Sequence, residues 1–161
     1  NWIPTDAMFF RETEERLRAA LELVRDCHNH MVRLWGGGIY EDPAFYDLCD
    51  ELGIMVWQEF PFACVFFGYL PRDLAFLNLA HQECRAIVRR LRNHPSLVLW
   101  CGGNEYSARR NRPLVETLQA VVAHEPGPKI VVFKYKSKKR YRVRSGHRQS
   151  QTRLRIEAIE A

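Results

Sequence analysis

Short apolar runs without interruption alternate with longer amphipathic segments over the first 125 residues. Three such runs are His30–Trp35, Ile54–Glu59 and Ser96–Cys101. Continuous apolar runs are typical of parallel strands that helices cover on both faces. Strands with one solvent-exposed face instead alternate apolar and polar residues. The alternation therefore predicts an α/β fold built on a parallel sheet.

Helices are predicted between these runs from apolar residues that recur at helical spacing. Asp42 followed by a proline gives a helix cap and a first-turn proline, and Gly53 suits the end of the same helix. The stretch Phe60–Pro71 is rich in Phe, Gly and Pro and is predicted to be a loop. The four predicted helices are Glu12–Cys27, Pro43–Leu52, Arg72–Leu91 and Pro113–Ala123.

Polar side chains stand where each predicted strand ends. They are Arg33, then Gln58 with Glu59, and finally Asn104 with Glu105. In barrels of parallel strands, the residues at the carboxyl ends of the strands line the active site. The sequence therefore predicts a functional site at this edge of the sheet.

The charge changes sign near residue 128. Residues 1–128 hold 13 Arg, no Lys and 17 acidic residues, whereas residues 129–161 hold five Lys, six Arg and two Glu. Pro and Gly at positions 126–128 mark a seam, so two domains are predicted, 1–125 and 126–161. The second is predicted to be a short, basic, all-β tail. Its three β segments are Lys129–Tyr135, Lys138–Arg144 and Thr152–Ile159, with a loop over Ser145–Gln149.

The cysteines and the lengths of the apolar runs indicate in which cellular compartment the chain is expected. The five cysteines form no C-x-x-C pair and lie in apolar stretches, so we predict buried free thiols in the cytoplasm and no metal or cofactor. No apolar run approaches the roughly 20 residues that a membrane-spanning helix needs, so we expect no membrane span. The chain begins with Asn and shows no leader pattern, so we expect it to be an excised segment.

Five strings of the first domain resemble glycoside hydrolase family two, in its β-mannosidase-like members. The resemblance implies a (β/α)8 TIM barrel. A complete barrel needs about 250 residues, so we expect only a partial barrel, from the end of strand one to strand four and the helix that follows. The strings, which occur in the family's order, are Asn1–Pro4, Met31–Glu41, Phe45–Ile54, Val56–Phe60 and His94–Glu105.

The resemblance also implies a retaining mechanism on a β-mannoside-type carbohydrate. Glu105 would be the general acid/base, and Asn104 would contact the sugar's 2-hydroxyl. The chemistry needs a second carboxyl group about 5–5.5 Å away, and in the family this nucleophile lies on strand seven, so we expect it to be absent here. The alternative nucleophile within this chain is Glu59, which lies one strand earlier than Glu105. The residues predicted to bind substrate are Asn104, Arg33, Trp35 and Glu59, with core packing as the alternative for Trp35.

Three positions depart from the residues that the family shows more often. Gly103 stands where Asn is more common, Glu59 where Asp is, and His30 where Asn precedes the Met. These departures leave the expected fold unchanged and bear on the details of the sugar pocket.

The tail resembles the C-terminal part of bacterial large-subunit ribosomal protein twenty-one. The resemblance rests on Gly127–Lys136, Lys138–Arg142, Gly146–Gln149 and Thr152–Ile156, and it implies binding to ribosomal RNA. Eleven cations without an acidic residue between Lys129 and Ile156 independently predict phosphate contacts. The residues predicted to bind RNA are Lys134, Lys136, Lys138, Lys139, Arg140, Arg142, Arg144, His147 and Arg148.

Three interpretations remain open at this point. The first is a hydrolase-derived fragment, inactive by itself, that is fused to a ribosomal tail. The second is an RNA-binding protein whose front part has no function. The third is an active glycosidase completed by a partner chain, which would associate through the exposed edges of the half barrel.

Overall fold

The computed structural model describes residues 1–6, 8–66, 68–124, 130–136 and 141–147. Helices and strands alternate along most of the chain, as the sequence pattern predicts. After a 3-10 turn at Phe9–Arg11, the elements are α1 (Glu14–Asp26), β1 (Met31–Leu34), α2 (Pro43–Leu52), β2 (Met55–Glu59), β3 (Ala63–Val65), α3 (Leu74–Leu91), β4 (Leu97–Cys101), β5 (Asn104–Tyr106), α4 (Arg112–His124), β6 (Ile130–Lys136) and β7 (Tyr141–His147).

The central sheet is parallel and has the order β1-β2-β4. Met31 pairs with Met55 at one end, and Glu59 pairs with Cys101 at the other. Trp2 adds a fourth parallel segment, since it bridges to Leu34 on the free side of β1. Four parallel segments in this order, with helices between them, confirm the predicted α/β fold and its partial barrel.

Local sequence explains where the helices begin and end. The side chains of Thr13, Asp42 and Asp73 accept hydrogen bonds from backbone N–H groups in the first turns of α1, α2 and α3. Each bond satisfies an N–H that has no partner within its own helix. Gly53 ends α2 in the left-handed conformation at φ 70°, which costs glycine no steric penalty.

The core lies between the helices and the outer face of the sheet. Leu34 and Val56 project from the strands into a cluster with Leu21, Phe45 and Leu118, and all five are at most 2% exposed. The amphipathic pattern of the sequence therefore places its apolar stripes on one continuous core. Within it, the hydroxyl of Tyr46 donates to Oε1 of Gln58 at 2.7 Å and satisfies a buried polar group.

The opposite face of the sheet carries apolar side chains that remain accessible. Met31 and Met55, which pair across β1 and β2, are 40% and 38% exposed, and Val98 of β4 is 47% exposed. In a closed barrel, the inward-pointing side chains pack against those of the other strands. This exposure agrees with the expectation that a half barrel leaves an apolar inner face uncovered.

Two short strands lie where the sequence predicts irregular structure. β3 falls inside the predicted loop Phe60–Pro71, and β5 follows the glycine pair that was expected to end the third strand. The two pair in parallel, with Ala63 opposite Asn104 and Val65 opposite Tyr106. The prediction of an unbroken loop was therefore wrong, because three-residue strands are too short to show a periodic pattern.

In the described part of the tail, β6 pairs with β7 in an antiparallel arrangement from Ile130↔His147 to Lys136↔Tyr141. The backbone pairing includes residues 145–147, so the prediction of a loop at Ser145–Gln149 was wrong for these three residues. The third predicted segment, Thr152–Ile159, lies outside the described residues. So do the RNA-binding candidates Lys138, Lys139, Arg140 and Arg148.

The cysteines are all free, but not all are buried. Cys49 and Cys84 are buried and Cys101 is half-buried, whereas Cys27 and Cys64 are exposed. The prediction of uniformly buried thiols was wrong for these two. Cys27 caps the end of α1, and Cys64 lies on the short β3 with a positive φ of 60°, so neither packs into the core.

Among the described residues, no helix has both the length and the apolar character needed to cross a membrane.

Candidate functional site

Arg33 connects two other predicted site residues, Glu59 and Asn104, at the carboxyl ends of the strands. Its Nε donates to Oε1 of Glu59 at 2.8 Å, and its Nη2 donates to Oδ1 of Asn104 at 2.5 Å. Nη1 also donates to Oδ1 of Asn1 at 3.2 Å. The guanidinium is planar and always charged, so it fixes these oxygens in one geometry. Residues from distant parts of the chain thus meet in one cluster.

Glu59 serves as the buried anchor of this cluster. Its side chain is 1% exposed, and Oε1 lies 2.7 Å from Nη2 of Arg33. Its other oxygen, Oε2, accepts from the backbone N–H of Gly36 at 2.8 Å. Both oxygens of Glu59 are therefore held by protein donors, and Glu59 in turn fixes the position of Arg33.

Asn104 and Glu105 begin β5, immediately after the turn that leaves β4. Asn104 is 7% exposed, and its backbone N–H donates to the carbonyl of Phe62 at 2.8 Å. Glu105 is exposed and has a left-handed backbone at φ 51°. The amide of Asn104 is thus held in the Arg33 cluster, whereas the carboxyl of Glu105 is presented to solvent.

The thiol of Cys64 lies next to the carboxyl of Glu105. Its thiol donates to Oε2 of Glu105 at 3.8 Å, a weak hydrogen bond of sulfur. Both residues have a positive φ, which is uncommon for residues other than glycine and often marks a functional segment. An exposed carboxyl that is restrained in this way can exchange a proton with a bound ligand.

Two glycines allow the close approach of the backbone around the site. A Cβ on Gly36 would lie 2.4 Å from the carbonyl oxygen of Phe60. A Cβ on Gly103 would lie 2.1 Å from the carbonyl oxygen of Phe62, and Gly103 has φ 141°. The departure from Asn at position 103 therefore fits this backbone, in which a side chain has no room.

The tryptophans near the site differ in their contacts. The guanidinium of Arg33 lies 5.3 Å from the centre of the Trp57 ring, within reach of a cation–π interaction. The ring of Trp35 instead covers Gly37, where an added Cβ would come within 2.2 Å of it. Trp35 is half-buried, and its predicted role in sugar binding stays a prediction.

The sequence predicted Arg33, Glu59 and Asn104 as site residues, but it indicated neither the contact of Asn1 with Arg33 nor all of the other contacts. The bond between Arg33 and Asn104 joins residues 71 positions apart and crosses β2, and no spacing in the sequence indicates it. The contact of Cys64 with Glu105 depends on β3, which the sequence analysis missed. In the tail, Lys134 and Lys136 lie on β6 and Arg142, Arg144 and His147 on β7.

A second polar cluster lies at the opposite, amino end of the strands. Nδ1 of His94 lies 2.7 Å from Oδ2 of Asp50, and the backbone N–H of Ser96 donates to Oδ1 of Asp50 at 2.8 Å. Asp47 brings a third ligand atom, all within 4.8 Å of one another. Asp47 is largely exposed, and the bonds of Asp50 already explain the cluster as a clamp between α2 and the start of β4.

Two family models match the chain. The model of the glycosyl hydrolases family 2, TIM barrel domain, matches residues 39–123. The model of ribosomal prokaryotic L21 protein matches residues 96–159. The matches overlap over residues 96–123, where β4 and α4 contribute Trp100 and Leu118 to the same core as α1 and α2. The boundary predicted near residue 125 thus remains a prediction.

Individual proteins resemble the first part of the chain. A β-mannosidase of Capra hircus is 48% identical over 108 residues, which are 67% of this chain and 12% of that protein. A β-mannosidase B of Emericella nidulans is 47% identical over 104 residues, again 12% of its length. The crystal structure of a β-D-mannosidase from Dictyoglomus thermophilum superposes with a TM-score of 0.68 and 43% identity, covering 76% of this chain and 16% of that one. The chain therefore spans about an eighth of the curated relatives.

Proposed function

Since this chain belongs to family 2 of the glycosyl hydrolases through residues 39–123, we propose that it carries the acid/base side of a retaining glycosidase site. The substrate class is a β-mannoside-type carbohydrate, in keeping with the relatives named β-mannosidase. Glu105 would protonate the departing glycosidic oxygen and later deprotonate the attacking water.

The observation that carries this proposal is the pairing of an exposed carboxyl with a fixed amide. Glu105 is open to a ligand, while its neighbour Asn104 is buried and held by Arg33 at 2.5 Å. A sugar that hydrogen-bonds to Asn104 would meet an oriented group that loses little further freedom on binding. Such preorganisation suits a site that must discriminate between sugar hydroxyls.

The nucleophile would come from elsewhere in a complete barrel. Glu59, the substitute that the sequence offers, has both oxygens held by Arg33 and Gly36. A retaining mechanism needs a carboxylate that reaches the anomeric carbon and forms a covalent intermediate, whereas Glu59 is 1% exposed and turned towards Arg33. We therefore propose that residues 1–124 do not hydrolyse glycosides without the remaining strands of the barrel.

A chimera tests the role of Glu105 apart from this missing half. Residues 1–124 would replace the corresponding segment of the Dictyoglomus thermophilum β-mannosidase, which supplies its own strand-seven carboxylate. We expect turnover of an aryl β-mannoside, and Glu105→Gln should lower kcat by roughly 10²–10⁴-fold. The loss should be largest for substrates with poor leaving groups, because these depend most on proton donation.

Glu51→Gln is the matched control, since Glu51 is an exposed carboxyl on α2 that pairs with Arg18. It should leave kcat unchanged. An active chimera that keeps its full rate with Gln at position 105, for poor leaving groups as well, would exclude Glu105 as the acid/base.

A second function, RNA binding, is proposed for the tail on a different observation. The L21 model matches residues 96–159, and the charge beyond residue 128 is strongly positive. Cations that contact phosphates release counterions, so binding should weaken steeply as salt is raised. The free cysteines and the proposed ribosomal RNA partner support the further proposal of a cytoplasmic location.

The test compares two triple variants of the whole chain on a ribosomal RNA fragment. Replacing Lys138, Lys139 and Arg140 by Gln should reduce the slope of log K against log salt by about 2–3. The control replaces Arg11, Arg18 and Arg25, which form ion pairs within the first part of the chain. Equal losses in both variants would mean that general positive charge, and not the tail, binds the RNA.

A further inference from the structure

A cavity of about 350 Å³ lies where α1 and α2 begin. Its apolar wall includes Leu17, Ile39 and Pro43. None of its lining residues belongs to the cluster of Arg33, Glu59 and Asn104. The volume is at the small end of the range for sites that bind organic molecules.

Glu41 brings an unpaired buried oxygen to this cavity. Its side chain is 2% exposed, and Oε1 accepts from Nε1 of Trp2 at 2.9 Å. Oε2 is buried and has no hydrogen-bond partner among the described residues. The hydroxyl of Tyr40 is likewise buried and has no partner there. Buried polar atoms are nearly always satisfied, so a group that donates to Oε2 would complete the site.

The charge of the cavity wall selects the sign of such a group. Glu12, Glu14, Glu41 and Asp42 contribute four carboxyls, against the one guanidinium of Arg90. Like charges disfavour an anion here, and a donor-only cation matches an acceptor without a partner.

We propose that this cavity binds a small organic cation, with a primary ammonium that donates to Oε2 of Glu41 and a methylene body that packs on Leu17 and Pro43. A bare metal ion fits this cavity less well. Among the described residues, the group with three ligand atoms close enough to hold a metal ion, within 4.8 Å of one another, is Asp47, Asp50 and His94. These residues lie outside the cavity.

The ionisation of Glu41 gives the binding a distinct signature. Burial raises the pKa of Glu41 to about 7, and the Trp2 hydrogen bond lowers it. The carboxyl of Glu12, by its charge and by a hydrogen bond that needs one of the two groups protonated, and the charge of Asp42 raise the pKa further. Below that pH the carboxyl is mostly protonated, and an arriving ammonium favours the carboxylate. Binding at about pH 6 should therefore release a proton from Glu41.

Calorimetric titration of the whole chain with 1,4-diaminobutane tests the proposal. We expect saturable binding, whose heat at about pH 6 depends on the ionisation heat of the buffer because a proton is released. Glu41→Gln should weaken binding by about tenfold or more, since it removes the charge that pairs with the ammonium. If this variant fails to fold, Glu12→Gln serves as the second variant and should weaken binding by about threefold or more.

Glu15→Gln is the matched control, because it also removes one carboxylate charge but does so outside the cavity wall. Glu15 lies at an exposed position in the first turn of α1. It should leave the affinity unchanged. The proposal is overturned by the absence of saturable binding up to roughly 10 mM diamine, by equal weakening in the Glu15 variant, or by equal competition from MgCl2.

Discussion

The guanidinium of Arg33 lies 2.7 Å from the carboxylate of Glu59, a group that is 1% exposed. Removing one partner of such a pair leaves a charge in a place that water does not reach, and this is usually worse than lacking the pair. Arg33 also holds Asn104, so the stability of the sheet's carboxyl edge and the geometry of the candidate site depend on the same side chain.

Arg33→Met should therefore destabilise the chain by about 3–5 kcal/mol, because it leaves the carboxylate of Glu59 buried without its partner. Urea unfolding followed by tryptophan fluorescence measures the loss. Arg18→Met removes the exposed pair with Glu51 and should cost far less, since exposed ion pairs contribute little. Similar losses in both variants would show that the Arg33 pair is screened by solvent.

The backbone at Gly103 should not accept a side chain. Gly103→Ala places a Cβ 2.1 Å from the carbonyl oxygen of Phe62 at φ 141°, and we expect a cost of about 1–3 kcal/mol from backbone strain. Gly53→Ala is the comparison, since φ is 70° there and nothing lies within 4 Å of the added Cβ. Thermal unfolding should rank Gly103→Ala as the more damaging change, and the reverse order would contradict the described turn.

Glu41 should make the stability fall as the pH rises from about 4.5 to 7. Its pKa is raised from 4.5 to about 7 in the folded chain, so in that window the unfolded chain has released a proton that the folded chain keeps. The free energy of unfolding then decreases as the pH rises through this window and levels off above about pH 7.

Subtraction isolates this contribution. Glu41→Gln cannot titrate, so the difference in unfolding free energy between the native chain and the variant should change over that pH window. A difference that stays constant from pH 4 to 8, within the error of urea unfolding, would mean that Glu41 titrates as in the unfolded chain.

Four of the five thiols should fall into two groups by reactivity. Burial raises the pKa of Cys49 and of Cys84 to about 12, and the thiolate is the reactive form. Cys27 and Cys64 are exposed, so iodoacetamide at neutral pH should alkylate these two first, as read by peptide mass mapping. Labelling of Cys49 or Cys84 at the same rate would contradict the described core, whereas unfolding in urea should make all five react alike.

The sequence predicted the parts of the fold that rest on local rules. Asp42 and Gly53 bound α2 as expected, because capping and left-handed glycine are decided within a few residues. The short strands β3 and β5 were not predicted, since their pairing joins segments about 40 residues apart. Their stability comes from each other and leaves no periodic trace in either segment.

The sequence predicted three residues of the candidate site, but it did not predict how each one is buried and hydrogen-bonded. Arg33, Glu59 and Asn104 follow from their positions at strand ends, which the parallel topology brings to one edge. That Glu59 is buried and fully bonded, while Glu105 is exposed, depends on how strands pack over one another. The buried Glu41 gave no signal, because a carboxyl that follows a glycine turn reads as a loop residue.

The hydrogen bond from Arg33 to the side chain of Asn1 ties the segment before the first helix to the carboxyl end of the sheet. Trp2 in the same segment bridges to Leu34, so a change in the backbone at residues 1–2 would be felt by the guanidinium that holds Asn104. A substitution at Asn1, far from Asn104 in the sequence, would thus alter ligand access at the candidate site.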